Sequence, residues 1–483
     1  MLSERAGNRL IVALWGVVYV VVAGLLQVGQ PAWFDSDTGY HLAVGRLIRQ
    51  HGILHAFPWT PFSLMADRYA DTELLFHLSL GGLDVVLPGQ AVVVWGTVLG
   101  ALMLFLMMLI LRAERVRLAG LWPLLALASS GAFMVRFSLV RPHLLAIPLS
   151  LLITWAAARR QVLVVLAGAL CFPWCHLSWI SALGLVALAE LAQILSGRRG
   201  QWRSGLAVVA GLVIGLVLHP NFPEIVEHAW IEIGHTLFSA AWGGPSAIPI
   251  GGEFSPFSWK SALRFVAIPG ALALVALFRG VRSRPRDPLT LAFSMVACVF
   301  LLMTIKSQRF LEDLAPFAVV AAALAFRSHS PRLIAILVVG ALGYTALVSQ
   351  PLVAMVKNRP QPFSARAVAA LDQAIPHDAQ VFTCDWQLTG DMLLALPERK
   401  FMVALDPMLF YRKDRPRFEL WQRLVLHPPA QPAQVIREQF SSRYVLCEDN
   451  PAWFPFLRAM IADPMVVPRV RVAPLTLFEI KAP

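Results

Sequence analysis

Long, repeated apolar runs decide what this chain can become. Val92–Leu111, Leu144–Trp155, Leu206–Leu218 and Leu333–Val348 carry almost no charge, and a helix of about 20 mostly apolar residues spans a hydrocarbon core. In that solvent each backbone N–H and C=O must find its partner inside the segment, so such runs become helices. Composition agrees: 57% of the residues are hydrophobic and 14% charged, against about 25% charged in soluble domains. The pattern predicts a polytopic α-helical membrane protein with about eleven transmembrane helices, near 10–28, 90–111, 121–135, 143–158, 161–174, 178–196, 205–219, 261–278, 288–304, 314–326 and 333–350.

The net charge of +12 is explained by topology. With the N-terminus in the cytoplasm, Arg5/Arg9, Arg112/Arg115/Arg117, Arg159/Arg160, Arg198/Arg199/Arg203, Arg279/Arg282/Arg284/Arg286 and Arg327/Arg332 all fall on the cytoplasmic side of one eleven-span arrangement, as the positive-inside rule requires. Nucleic acid is therefore not an expected partner. The first span has basic flanks but no small-residue cleavage site after it, and reads as a retained helix. Of the five cysteines, Cys384 and Cys447 share the last, soluble-looking segment and could pair if that segment is extracytoplasmic. Cys171-Phe-Pro-Trp-Cys175-His176 has one residue too many for haem attachment.

Three parts follow. Residues 1–28 are an anchor helix, 29–88 a long outer loop rich in Trp, Phe and His expected on the membrane surface, and 90–350 hold the remaining spans. Within the loop, Asp37 can cap a helix that runs to about His51 and stops at Gly52. Glu224–Ala241 is an amphipathic stretch suited to the interface. After residue 355, strand-like runs (Gln380–Cys384, Phe401–Ala404, Tyr444–Cys447, Leu475–Ile480) alternate with helical patterns (Ala365–Ala374, Gln434–Phe440), which predicts a small α/β domain. The expected division is a transmembrane unit 1–354, including loop 29–88, and an extracytoplasmic domain 355–483.

Ionisable residues concentrate at the outer helix ends: Asp35, Asp37, His41, Glu73, Arg136, Arg141, His143, His176, His219, Glu224, Glu253, Lys306, Arg309, Glu312 and Asp313. Each has a plainer explanation, such as a helix cap, an i,i+4 partner (His41 to Asp37, Arg309 to Asp313) or a snorkelling cation. Their convergence on one face, beside apolar helix ends, predicts a polar cavity for an amphiphilic substrate. A transport pathway would instead place such groups at helix midpoints.

On Asp35-Ser-Asp37-Thr-Gly-Tyr-His41, Gly45-Arg-Leu-Ile48-Arg-Gln-His-Gly52, Pro61-Phe62-Ser63 and Thr72-Glu73-Leu74-Leu75-Phe76, the chain resembles the GT-C superfamily of integral membrane glycosyltransferases, in its bacterial branch. That superfamily includes protein O-mannosyltransferases and the lipid A aminoarabinose transferase. Arg141-Pro142-His143, Trp174-Cys-His176, His219-Pro220-Asn221, Glu253-Phe-Ser-Pro256, Gln308-Arg309-Phe310 and the segment Asp385-Trp386 to Leu405-Asp406-Pro407 extend the likeness. Pro173-Trp174-Cys175-His176 departs from the branch's Trp-x-Asn-x-His.

The resemblance implies a GT-C-like fold and transfer of a sugar from a polyprenyl-phosphate donor to a lipid, glycan or protein acceptor. This would occur at the periplasmic face of a bacterial inner membrane, with the C-terminal domain periplasmic. A carboxylate must take the acceptor's proton and cations must hold the leaving phosphate. Asp35 or Asp37 would be the base, Glu73 a second carboxylate, and Lys306 and Arg309 the phosphate's partners. His41, Arg136, Arg141, His176, His219 and Glu253 would complete the substrate site. Some members of the superfamily use a divalent metal and many with monophosphate donors do not; here Mg²⁺ or Mn²⁺ could sit on Asp35, Asp37 and Glu73. The alternatives are a GT-C-like scaffold without catalysis, or a lipid or solute transporter.

Overall fold

A computed structural model of the chain describes residues 2–28, 35–237, 251–327, 329–357 and 363–481. Trp33, Phe34, the Gly243-Gly244-Pro245 turn, the end of the amphipathic stretch beyond Leu237, Pro360 and Pro362 lie outside them. Ten helices run from the N-terminus through the first two thirds of the membrane part: α1 (Leu2–Val28), α2 (Ser36–His51), α3 (Leu74–Val86), α4 (Ala91–Ala113), α5 (Trp122–Ser129), α6 (Gly131–Ser138), α7 (His143–Ala158), α8 (Val162–Cys175), α9 (Ser181–Leu195) and α10 (Trp202–Val217). Glu224–Ala229, continued by the π-helical stretch Trp230–Leu237, then Trp259–Phe265, Ala267–Arg282, Pro288–Lys306, Leu311–Ala325 and Pro331–Lys357 complete its longer helices.

Helices thus occupy each stretch expected to span. Among the described residues, four are long and apolar enough to cross a bilayer alone, or six if each of two bent pairs is one span. The expected eleven is not reached by that test, because α5, α8, α10, Leu311–Ala325 and the apolar stretch Ile334–Gln350 are each shorter than it requires. Large apolar side chains stay uncovered along them, including Leu25 at 70%, Leu163 at 78%, Leu302 at 66% and Leu347 at 70% exposure. An apolar surface of this extent is stable only against lipid or a partner.

The expected span 121–135 is two helices. Ser130 leaves the helical conformation (φ −159°, ψ 123°) and its hydroxyl accepts from Phe133 N–H, so one helix ends and another is capped at the same residue. The second of these, α6, meets α7 at 112°, and the turn between them carries Arg141-Pro142. This bend places Arg136 and Arg141 on the same wall.

The outer loop packs against the C-terminal part. Tyr40, Val44, Phe57, Met65 and Leu74 join Leu371, Phe382, Met392, Phe410, Phe440 and Phe478 in a second buried core, separate from that of the membrane helices. Phe401 N–H donates to Trp59 C=O at 2.8 Å, and Phe62 lies against Phe410 and Phe440. The C-terminal part carries a four-stranded mixed sheet, in order β1 (Val381–Thr383), β2 (Tyr444–Glu448), β4 (Leu475–Ile480), β3 (Val466–Val472). β1 and β2 run parallel and the other pairs antiparallel. Phe401–Ala404, expected as a strand, is fully buried coil instead, reaching the sheet only through a Gln380–Lys400 bridge. Cys384 and Cys447 form a disulfide between the ends of β1 and β2.

Two glycines set the α2–α3 approach. A Cβ on Gly81 would lie 2.5 Å from Gly45 O, and one on Gly45 would lie 2.8 Å from His77 O. Gly82, one residue on, has open space around it. Gly81→Ala is expected to lower stability by about 1–3 kcal/mol through overpacking, outweighing the roughly 1 kcal/mol a helix gains from alanine. Gly82→Ala keeps only the gain, so thermal unfolding of the two variants should shift in opposite directions.

Candidate active site

A cavity of about 940 Å³ lies where α2, α6, α7, α9, the helices Pro288–Lys306 and Leu311–Ala325, and the loops 251–254, 386–387 and 405–407 converge. Of the fifteen ionisable residues expected at the outer helix ends, all but His219 and Glu224 line it. One wall is charged. The other is apolar, formed by Ile147, Leu177, Ile180, Leu185, Val299 and Leu302 among others. Ile180, Val299 and Leu302 keep 47%, 39% and 66% exposure, so the apolar wall is open between the 3₁₀ turn Leu177–Ile180 and the helix Pro288–Lys306.

Arg141 organises the charged wall. Its Nε donates to Asp35 Oδ2 at 2.7 Å and its Nη2 to Asp35 Oδ1 at 2.5 Å, while Nη1 pairs with Asp37 Oδ2 at 2.8 Å and Glu253 Oε2 at 3.4 Å. Asp35 is the N-cap of α2, accepting from Thr38 N–H and Oγ1–H at 3.2 and 3.0 Å. The cap expected at Asp37 therefore belongs to Asp35, and Asp37 sits in the first turn. Gly52, at φ 78°, ends the helix as expected.

A second cation extends the wall: Arg136 pairs with Glu253 at 3.0 Å and Glu312 at 2.6 Å. Arg309 pairs with the same two carboxylates, Glu253 at 3.3 Å and Glu312 at 3.8 Å, rather than with Asp313. Lys306 lines the cavity from the last turn of its helix and has no carboxylate partner among the described residues.

The carboxylates differ in proton affinity. Burial works to raise Asp35, but the bidentate Arg141 outweighs it and holds the group below the usual range. Burial raises Asp37 to about 6, with Asp35 and Glu253 adding to the rise against Arg141. Burial likewise lifts Glu73 to about 7 and pushes Glu232, which also lines the cavity, well up, with Asp406 and Glu73 adding to the rise. Glu253 is held low against burial by Arg136, Arg141 and Arg309.

Beside Glu73 lies a histidine pair. His41 Nδ1 and His77 Nε2 are 2.8 Å apart, and His77 Nδ1 donates to both oxygens of Asp71 at 2.8 Å. Burial keeps His41 well below the ordinary imidazole value, whereas Asp71 raises His77 despite burial. Neither His77 nor Asp71 stood out in the sequence, although Glu73-x-x-x-His77 repeats the spacing of Asp37-x-x-x-His41. Glu232 also lines the cavity unforeseen, and the late segment singled out in the sequence reaches it through Trp386, Gln387, Asp406 and Pro407.

His219 stands apart. Its ring packs on Trp174 at 5.2 Å, and its Nδ1 accepts from Asn221 N–H at 3.2 Å. Asn221 in turn donates to Leu54 C=O and accepts from Asp71 N–H, so His219-Pro220-Asn221 fastens the loop ahead of α3. His176 caps a 3₁₀ turn through its Nδ1 while still facing the cavity. The oxygen-only metal set is not assembled either: Asp35 and Asp37 close on a guanidinium. Among the described residues, the group whose ligand atoms converge is His41, Glu73 and His77.

No family model and no curated protein matches the sequence. Solved structures do match the fold. Archaeal oligosaccharyltransferase AglB from Archaeoglobus fulgidus, in complex with an inhibitory peptide and a dolichol-phosphate, superposes with a TM-score of 0.65 at 13% identity, over 93% of this chain and 71% of that one. ArnT from Cupriavidus metallidurans bound to undecaprenyl phosphate gives 0.62 at 14% identity, covering 97% of both chains. Arabinofuranosyltransferase AftD from Mycobacteria gives 0.57 at 15%, over 97% of this chain and 42% of that one. At these identities the likeness is one of fold, shared with all three proteins over nearly the whole of this chain.

Removing Arg141 leaves Asp35, only 9% exposed, without its counter-charge. Breaking such a buried pair costs about 3–5 kcal/mol. Arg141→Met should therefore unfold markedly earlier than the native chain, and Arg141→Met with Asp35→Asn should recover much of the loss, both read by thermal unfolding in detergent.

Proposed function

We propose that this chain is a glycosyltransferase that moves a sugar from a polyprenyl-phosphate donor to an envelope acceptor: a lipid, a glycan or a protein. The observation that carries this reading is the two-walled cavity. One wall gathers carboxylates and arginines, and the other is an apolar groove that opens at Ile180, Val299 and Leu302. A ligand that fits both is a long hydrocarbon chain ending in an anion. The neighbours bound to dolichol-phosphate and undecaprenyl phosphate support that choice of ligand.

In this reading Asp37 is the base. Asp35 is committed through both oxygens to Arg141 and Thr38, whereas Asp37 makes one ion pair and remains 35% exposed to the cavity. Asp37 takes the acceptor hydroxyl's proton as the acceptor oxygen attacks the anomeric carbon. The bond from that carbon to the phosphate oxygen breaks, and polyprenyl phosphate leaves with the electron pair. The configuration inverts. Lys306 meets the leaving phosphate, being unpaired among the described residues, and Arg309 supports it from its split contact with Glu253 and Glu312. Glu73 faces the acceptor from the opposite side.

We place the chain in a bacterial inner membrane with eleven crossings, the N-terminus inside and the cavity at the periplasmic face. The basic loops support this orientation. The Cys384–Cys447 disulfide supports an oxidising compartment for the C-terminal part.

Direct binding tests the donor site: Lys306→Met should weaken undecaprenyl phosphate binding by about tenfold or more, without altering the melting temperature. Unchanged affinity would remove Lys306 from the site. The base has its own signature. Asp37 acts when deprotonated, so the transfer rate should fall as pH drops through about 6, and Asp37→Asn should cost about 10²–10⁴-fold at pH 7. An acid limb that Asp37→Asn leaves unmoved assigns the proton to another group.

A further inference from the structure

We propose that His41, His77 and Glu73 form a site for one divalent ion of the zinc type, with its open side toward the cavity. Two facing helices supply it. Each carries an acid at its start followed four residues later by a histidine: Asp37 and His41 lie on one face of α2, and Glu73 is the N-cap residue of α3, with His77 in its first turn. The Gly45–Gly81 crossing brings the two backbones into contact one turn away, and the histidines above it meet. One coordinating atom from each of the three residues lies within 4.8 Å of the others.

The surroundings are those of a ligating histidine. His77 donates its Nδ1–H to Asp71, leaving a lone pair on Nε2 that points at His41. A carboxylate on the far nitrogen is the usual support of a metal-bound imidazole, since it fixes both tautomer and ring orientation. Asp71 is itself 2% exposed and is fixed: its backbone N–H donates to Asn221 and its Oδ1 accepts from Glu73 N–H. His41 and His77 are 4% and 0% exposed, and Glu73 and His41 line the cavity.

Two imidazoles and one carboxylate suit zinc rather than magnesium or calcium. Tetrahedral coordination at about 2.0–2.1 Å sets ligand nitrogens about 3.3 Å apart. The two rings, 2.8 Å apart, need to open by a fraction of an ångström to admit the ion. Three protein ligands leave a fourth position facing the cavity, where an oxygen of a bound molecule can reach it. The inference does not depend on the transfer reading, because metal content is measured without any reaction.

The test uses the full chain in detergent, purified through a tag without histidine, stripped with a chelator and then given zinc. Zinc per chain is counted by mass spectrometry, affinity is read by competition with a chromophoric chelator, and cobalt substitution reports the ligand field. The native chain should hold about one zinc. His41→Gln and His77→Gln should each weaken it about 100-fold or more, Asp71→Asn about 10–100-fold with the stoichiometry retained, and the surface variant His427→Gln not at all. Gel filtration and melting temperature establish that each variant is folded. Zinc retained undiminished by His41→Gln and His77→Gln, or native zinc content no higher than that of His77→Gln, overturns the site and leaves two imidazoles sharing a proton.

Discussion

The cavity depends on one guanidinium. Arg141 lies on the turn between two helices that meet at 112°, and it holds Asp35 and Asp37 from α2 and Glu253 from the loop 251–254. Three segments distant in sequence therefore share one charge centre. A fork of five donors in fixed geometry can satisfy three carboxylates at once, which a lysine point charge cannot. The same arrangement separates the two aspartates chemically. Asp35 spends both oxygens on Arg141 and stays ionised, while Asp37, with one contact to Arg141 and the charges of Asp35 and Glu253 beside it, holds its proton more tightly.

What keeps Arg141 and the aspartates in register is packing away from the charges. The loop 35–88 and the C-terminal part form one apolar core, so α2 is anchored from outside the membrane helices. Gly390 comes so close to Ser36 that a Cβ there would lie 2.1 Å from its carbonyl oxygen, and a Cβ on Gly39 would lie 2.5 Å from Asp391 Oδ1. The start of α2, with its cap and both aspartates, is thus clamped between the membrane helices and the C-terminal part. Any molecule entering the cavity meets groups from both, including Trp386 and Asp406.

Much of this could be read from the residues alone, and the failures have physical causes. Hydropathy located the helical stretches because lipid permits no other backbone solution. It could not see the break at Ser130, where a single hydroxyl caps a new helix inside an apolar run. The clustering of charges on one face foretold the cavity lining, since polar groups beside a bilayer must converge on something. His219 looked equivalent in the sequence, yet its ring faces Trp174 because the next two residues fasten a loop. The strand Val466–Val472 was hidden by Pro468 and its exposed arginines, which suit an edge strand. Phe401–Ala404 has strand composition, but its burial is satisfied by packing and by the Trp59 carbonyl. The joint core of the outer loop and C-terminal part rests on contacts hundreds of residues apart, for which no local pattern exists.

The central claim, that the carboxylates beside Arg141 perform transfer onto an envelope acceptor, is tested most directly in cells. Envelope glycans are compared by mass spectrometry in a strain lacking the protein, and in the same strain restored with the native chain or with Asp35→Asn plus Asp37→Asn at matched abundance. The account predicts a glycan that disappears on deletion and returns only with the native chain, its missing mass identifying the sugar. Full return with the double variant would contradict it, leaving the aspartates as the cap and counter-charge of α2 and the chain as a scaffold or carrier.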